Sequence, residues 1–307
     1  MKIALLMRDD PNRAFNGLST YCRELTKELH RKHQVDWFIG STDRNTLNLG
    51  SKIPKIYDIV YATSLPYGAK VKLPLVAKTN SPIKEEGRYY SGFKKLKGIY
   101  GQYLEVATLK KAKAVISVSK ISHDILLKEY SAESTVVPDG VDLEKFKPEK
   151  QDPFYIADNG VVVPPSVVVC SRDEPRKNLP LIREAMKHVG RNAYWSLVLG
   201  GLPQQQMEAQ FRKADIFLTT SLSEGFNQTL LQGMSSGCAC IASDIPAHRE
   251  LIENGKDGVL FSAEYEMNAC LDTYIKNAEW RHRMGSAARK KAENYPWSRT
   301  AIETEKV

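Results

Sequence analysis

Apolar positions along the chain fall into two patterns. The first is the short, nearly unbroken run, at residues 3–7, 35–39, 59–62, 75–78 and 114–118, then at 167–170, 195–199, 216–219, 239–242 and 259–261. Runs of that length without alternation predict strands covered on both faces, as in a parallel sheet. The second pattern is helical spacing. Tyr21, Leu25 and Leu29 mark a helix over 19–33. Similar spacing marks helices over 98–112, 119–130, 179–189, 207–213 and 230–235, and a mostly helical tail over 264–304. Repeated strand–helix alternation implies parallel sheets with helices on both faces. The alternation lapses over 147–165, where Pro, Asp, Lys and Gly accumulate, so a linker is expected there. Two doubly wound halves result. Their natural ligand site is the central cleft they face, at the carboxyl ends of the strands.

Composition narrows the class without naming a chemistry. The chain has 307 residues, 42% hydrophobic and 26% charged, enough for a core in each half. No apolar run reaches the roughly 18 residues of a membrane span. The first eight residues read as a buried strand rather than a signal peptide. Five cysteines (Cys22, Cys170, Cys238, Cys240 and Cys270) lack C-x-x-C spacing, which argues against a disulfide framework or a zinc site. Cys238 and Cys240 alternate in an apolar run and read as buried thiols, so a reducing, cytoplasmic setting is expected.

Charge is uneven. Residues 1–150 hold 26 Lys and Arg against 17 Asp and Glu, while the remainder is nearly balanced. Residues 84–113 hold eight basic and three acidic residues, interleaved with Tyr89, Tyr90, Phe93, Tyr100 and Tyr103. Such a segment suits an anionic surface: a membrane face, a phosphorylated acceptor or nucleic acid. It equally suits a solvated face with a few core aromatics. No nucleic-acid motif accompanies it, so no nucleic-acid partner is expected. Peripheral contact with the inner membrane face through this basic half is the expectation retained. Neither half opens with G-x-G-x-x-G after its first strand, which excludes the usual dinucleotide oxidoreductase pattern.

Chemistry concentrates in residues 214–234, which read as strand, tight loop and helix. Gly225 lets a ligand approach the backbone. Asn227, Gln228 and Thr229 open the helix, where amides and the helix dipole suit a phosphate or sugar oxygen. Glu224 stands on the loop, and Gln232 about two turns later. On residue types alone, Glu224 is equally a surface charge and Gln232 an exposed helix residue.

The stretch Ala214-Asp215-Ile216-Phe217-Leu218-Thr219-Thr220-Ser221-Leu222-Ser223-Glu224-Gly225-Phe226-Asn227, continuing through Gln232 to Ser236-Gly237-Cys238-Ala239-Cys240-Ile241-Ala242-Ser243, resembles the E-x7-E region of retaining glycosyltransferases with the GT-B fold (family 4-like, group 1). Glu250-Leu251-Ile252 and Asn254 to Gly258 continue the likeness. So do Val136-Val137-Pro138-Asp139-Gly140-Val141-Asp142, the Ser171-Arg172 to Lys177-Asn178 stretch, Asn16-Gly17-Leu18-Ser19-Thr20-Tyr21 and Tyr295-Pro296-Trp297-Ser298.

The resemblance implies an α/β GT-B protein with two Rossmann-like domains: residues 1–150 on the acceptor side and 151–285 on the donor side. A last helix in 286–307 packs back toward the first domain. It implies a retaining hexosyltransferase using a UDP- or GDP-sugar and a glycan, lipid-linked or phosphorylated acceptor. Glu224, Arg172 and Lys177 are the implied catalytic residues. Gly17, Gly225, Phe226, Asn227, Gln228, Thr229 and Gln232 are the implied donor contacts. Cations from Arg and Lys would stabilise the leaving diphosphate. The chain has no D-x-D, so no metal or other cofactor is expected.

Four positions depart from the family pattern. Gln232 replaces the second Glu. Asn80 stands where an acceptor-side His is common. Asn16 replaces the first glycine of a pair and is expected to tolerate a left-handed turn. Only Leu202 to Gln205 separate Gly201 from the next helix, where relatives have a further helix and strand. These departures keep a second reading open, a catalytically weak relative that binds nucleotide or glycan as a scaffold.

Overall fold

In a computed structural model, which describes residues 1–14, 16–89, 91–149 and 163–307, the apolar runs become strands because helices cover both their faces. Tyr90 and most of the expected linker (150–162) lie outside the described residues, as does the Phe93 side chain. The chain forms two units: Met1–Gly140 with Trp297–Val307, and Val141–Pro296.

In the first unit β1 (Lys2–Met7), β2 (Gln34–Ile39), β3 (Ile59–Ala62), β4 (Leu75–Thr79), β5 (Ala114–Ser117) and β6 (Thr135–Val136) form a parallel sheet, ordered β2-β1-β3-β4-β5-β6. Period-two alternation divides the core. Leu5 and Met7 join Tyr21, Leu25 and Val35 on one face, while Ala4 and Leu6 join Ile53, Val60 and Leu65 on the other. Helices α1 (Gly17–Leu29), α2 (Asp43–Gly50), α3 (Ile83–Glu86), α4 (Gly92–Leu109) and α5 (Lys120–Tyr130) connect the strands. Asn16 does not take the left-handed backbone expected of it. At φ −143° it is extended, and its side chain caps α1 by accepting from the Ser19 amide at 2.9 Å.

In the second unit β7 (Ser166–Ser171), β8 (Tyr194–Leu199), β9 (Ile216–Thr219), β10 (Ala239–Ser243) and β11 (Val259–Phe261) form a parallel sheet ordered β11-β10-β9-β7-β8. Its helices are α6 (Leu179–Val189), α7 (Gln204–Lys213), α8 (Gln228–Ser235), α9 (Pro246–Leu251), α10 (Glu264–Lys276) and α11 (Ala278–Ala292). Strand order reverses at β7, which pairs with β8 on one side and β9 on the other, and ligands of open α/β sheets bind at such a point. Edge strand β8 passes to α7 with no further strand between them. Gly237, at φ +74°, turns the chain after α8, and a Cβ on Gly285 would sit 2.0 Å from its carbonyl oxygen. The two glycines let α11 lie against that turn. Val141, Phe146, Ala288 and Ala292 all bury in this unit's core, so the units part at Gly140 and Pro296 rather than at 150 and 286. Cys22, Cys238 and Cys240 are buried thiols, and Cys170 and Cys270 are partly buried.

The final helix, α12 (Trp297–Lys306), belongs to the first unit. Trp297 meets Tyr21 edge-on, and Thr300 donates to the Pro138 carbonyl at 2.8 Å. Beside this junction lies Lys78, with no solvent exposure. Its ammonium donates to Asp139 at 2.6 Å and Asn80 at 2.8 Å, and stands 3.5 Å from the Tyr21 ring centroid. Burial lowers the Lys78 pKa and raises that of Asp139, and each charge is the main support of the other. Removing one member of a buried pair strands its partner, which costs more than losing both. Lys78→Met should therefore destabilise the first unit by about 3–5 kcal/mol. Lys78→Met with Asp139→Leu should recover most of that loss in denaturant titrations followed by circular dichroism.

Candidate functional site

Three loops leave the carboxyl ends of β7, β9 and β10 in the second unit. After β7, the turn Pro175–Lys177 leads to Asn178, whose left-handed backbone (φ 49°) starts α6. After β9, residues 220–227 lead to α8. Backbone and hydroxyl bonds tie the two loops together. Leu222 N–H donates to the Arg176 carbonyl at 2.7 Å, and Thr220 Oγ1 donates to the Lys177 and Asn178 carbonyls at 3.1 Å.

Glu224 is where the loops meet. Its side chain is only 8% exposed, and it accepts from Arg176 at 2.9 Å, from Ser221 Oγ at 2.8 Å and from Lys177. Burial pushes its carboxyl pKa up, but Lys177 and Arg176 outweigh burial and hold it down at about 2. Glu224 is therefore a fixed anion at neutral pH, able to accept hydrogen bonds but not to deliver a proton. Arg172 does not touch it. About half exposed, Arg172 lies 3.8 Å from Glu174, which pairs with Arg176 at 3.0 Å. The charges thus alternate from Arg172 through Glu174 and Arg176 to Glu224 and Lys177. Sequence reading singled out Arg172, Lys177 and Glu224 but missed Arg176, because nothing in a loop of alternating charges marks which cation turns inward.

Asn227 closes the other side. Its Oδ1 accepts from the Leu230 amide at 3.0 Å and from Thr229 Oγ1 at 2.9 Å, capping α8. Its Nδ2 donates to His248 Nε2 at 2.8 Å, and His248 Nδ1–H donates to the Ser243 carbonyl at 2.7 Å. His248 is fully buried and neutral, its pKa lowered from 6.5 to about 4 by that burial. Ser243 Oγ in turn donates to the Ser221 carbonyl at 2.5 Å. His248 thus orients Asn227 from the far side, another residue the sequence did not single out. The amides of Gln228 and Thr229 fall in the first turn of α8, which has no helical acceptors for them. Gly225 is buried, and Phe226 packs half-buried against the core that contains Leu230 and Leu231. Gln232, expected to be exposed if it carried no function, is buried (7%). Gly17 and Asn80 lie in the first unit, Gly17 as the first residue of α1. Asn80 follows β4, with its Oδ1 held by Lys78 and its Nδ2 donating to the Thr63 carbonyl at 3.3 Å.

Residues 195–291 match the family model described as glycosyl transferases group 1. That span contains β9, Glu224, α8 and His248. The phosphatidyl-myo-inositol mannosyltransferase of Mycobacterium tuberculosis is 23% identical over 223 residues, 62% of this chain and 58% of the relative. The chain spans about half the length of the curated relatives it matches. Among solved structures, sucrose-phosphate synthase from Thermosynechococcus elongatus superposes with a TM-score of 0.83 at 16% identity, covering 100% of this chain and 98% of that one. Anabaena HepE, solved with UDP and glucose, superposes at 0.79 with 18% identity and the same coverage. The fold is therefore GT-B, with two Rossmann-like units.

The buried network sets an acid limit. A group whose pKa falls on folding leaves the unfolded chain binding more protons, so stability drops as pH falls between the two values. His248 acts between pH 6.5 and about 4, and Glu224 between 4.5 and about 2. The His248 contribution is about 3 kcal/mol. His248→Gln, which keeps a polar partner for Asn227, should flatten the decline in unfolding free energy between pH 6.5 and 4. Urea titrations at stepped pH read this directly.

Proposed function

We propose that the protein is a retaining, metal-independent glycosyltransferase that moves a hexose from a UDP- or GDP-sugar to a glycan, lipid-linked or phosphorylated acceptor. The observation that carries this reading is Glu224, a buried and permanently ionised carboxylate held beside Lys177 at the strand ends where sheet order reverses. Such a carboxylate suits a neutral polyhydroxylated ligand, whose hydroxyls donate to it. The match of residues 195–291 to the model described as glycosyl transferases group 1 supports the transferase reading. The mycobacterial relative is named for transfer to a phospholipid, which supports a lipid or phosphorylated acceptor.

Each residue then has a role. Glu224 orients the donor sugar. Lys177 and the exposed Arg172 meet the diphosphate, on which negative charge grows as the glycosidic bond breaks. The first-turn amides of α8 add fixed dipoles toward the same oxygens, and Asn227 and His248 hold that turn in place. Gln232 accepts from a ribose hydroxyl without the charge of the usual Glu. In the first unit, Asn80 lines the acceptor side.

Turnover of a panel of UDP-, GDP- and ADP-sugars tests the reading. Nucleotide release should persist in EDTA, and the product should keep the donor's anomeric configuration by NMR. Lys177→Ala and Arg172→Ala should each lower kcat by about 10²–10³-fold, the loss typical of one electrostatic donor. Failure to bind or turn over any donor refutes the proposal. Donor binding without turnover, indifferent to Glu224→Ala, identifies a nucleotide-binding scaffold instead.

A further inference from the structure

Strand β8 forms one edge of the second unit's sheet, and among the described residues no strand lies beyond it. The Tyr194 N–H donates to the Pro165 carbonyl at 2.9 Å, and the Gly200 N–H just past the strand donates to the Ser171 carbonyl at 3.1 Å. Even-numbered residues therefore turn toward β7. Alternation along the strand turns the N–H and C=O of Trp195, Leu197 and Leu199 outward. Natural sheets guard such edges with Lys, Pro, a bulge or a covering element, because a bare edge is a template for another strand. β8 carries no such guard. Its register with β7 is unbroken over Tyr194-Trp195-Ser196-Leu197-Val198-Leu199, and no Asp, Glu, Lys or Arg occurs from Asn192 to Met207. Tyr194 is 61% exposed and Leu199 51%, so both ends of the strand carry large apolar groups into solvent. Helix α7 lies beside the strand, where Ser196 Oγ donates to Gln210 Oε1 at 2.5 Å, and it adds exposed amides at Gln205, Gln206 and Gln210. The edge is thus apolar and neutral, with unspent backbone donors and acceptors.

We propose that β8 pairs antiparallel with β8 of a second copy across a two-fold axis, joining two five-stranded sheets into one. With the axis at Leu197, its outward N–H and C=O meet those of the partner's Leu197. Those of Trp195 meet the partner's Leu199, and symmetry repeats the pair on the other side. About six hydrogen bonds result. Leu199 then covers the partner's Trp195 on one face of the sheet. On the other face Tyr194 lies across from the partner's Gly200, where no side chain competes with its ring. A two-fold interface needs a surface that complements itself. Uncharged strands do not repel their copies, and glutamine amides both donate and accept. A charged peptide strand would find no counter-charge there. One strand edge makes a small interface, so the dimer dissociates in the micromolar range. The inference concerns the edge of the second unit and does not depend on the donor site.

Sedimentation velocity of the full chain tests it. The protein should pass from monomer to dimer as its concentration rises through the micromolar range, with little dependence on salt because no ion pair crosses the axis. Tyr194→Lys/Leu199→Lys supplies the missing guards and should weaken association by at least about tenfold. Both positions are exposed, so the variant should keep the parent's circular dichroism spectrum and melting temperature. Hydrogen exchange on the parent gives a second reading that needs no variant. In the dimer the Trp195, Leu197 and Leu199 amides should exchange at least about tenfold more slowly than in dilute protein, while the Ser196 and Val198 amides, already turned to β7, should not change. A monomer at every concentration overturns the proposal. So does a dimer that the double variant leaves intact, or one in which the three outward amides exchange as fast as in the monomer. A chain that stays monomeric and instead binds an uncharged extended peptide along β8 also overturns it, and assigns the edge to a foreign strand.

Discussion

The second unit's loops are organised by one constraint: a buried carboxylate must be answered by cations. Glu224 carries its charge into a site that water barely reaches, and desolvation alone would raise its pKa. Lys177 and Arg176, both from the loop after β7, keep it ionised. The loop after β9 therefore cannot shift without the loop after β7. The backbone bonds from Leu222 and Thr220 repeat the same coupling with neutral groups. Cations gathered this closely would repel one another if left alone. Glu224 and Glu174 balance them, so the site is charged locally without being costly to hold together.

The architecture was largely legible in the sequence because buried parallel strands need uninterrupted apolar residues, and every strand expected from such a run is present. The helices show where that cue fails. α2 is polar along most of its length and is started by Thr42 capping Asn45, a local signal that hydrophobic spacing does not register. The expected helix over 98–112 begins six residues earlier, at Gly92. Its apolar residues gave the right period, but most of them point away from the core, which is instead met by Gly98, Leu104 and Thr108. Periodicity reports that a face exists and not which partner covers it.

Site residues were legible in proportion to how locally their role is set. Glu224, Lys177 and Asn227 sit in short stretches whose resemblance to the glycosyltransferase pattern carries the signal. Arg176 and His248 act through contacts made only once three strands are aligned. His248 reads in sequence as one more residue of a short helix. Its meaning comes from the Ser243 carbonyl behind it and the Asn227 amide before it, groups from two other elements. With Nδ1–H committed to a carbonyl, Nε2 can only accept, so Asn227 must present its NH₂ to the ring and its oxygen to the α8 amides. A neutral histidine thus fixes the orientation of the helix cap on which the proposed anion site depends.

The first unit solves a similar problem with a different outcome. Asp139 is buried, and its charge there would be untenable without the Lys78 ammonium. Lys78 spends a second hydrogen bond on Asn80, itself a departure from the family pattern. The three side chains therefore form one linked group, with the Lys78 ammonium at the end of β4 shared between the Asp139 and Asn80 oxygens. That coupling makes Asn80 a poor candidate for proton transfer and a good one for orientation. Its oxygen faces a fixed cation and its amide a fixed carbonyl, so the side chain is held in one pose beside the acceptor side proposed for it.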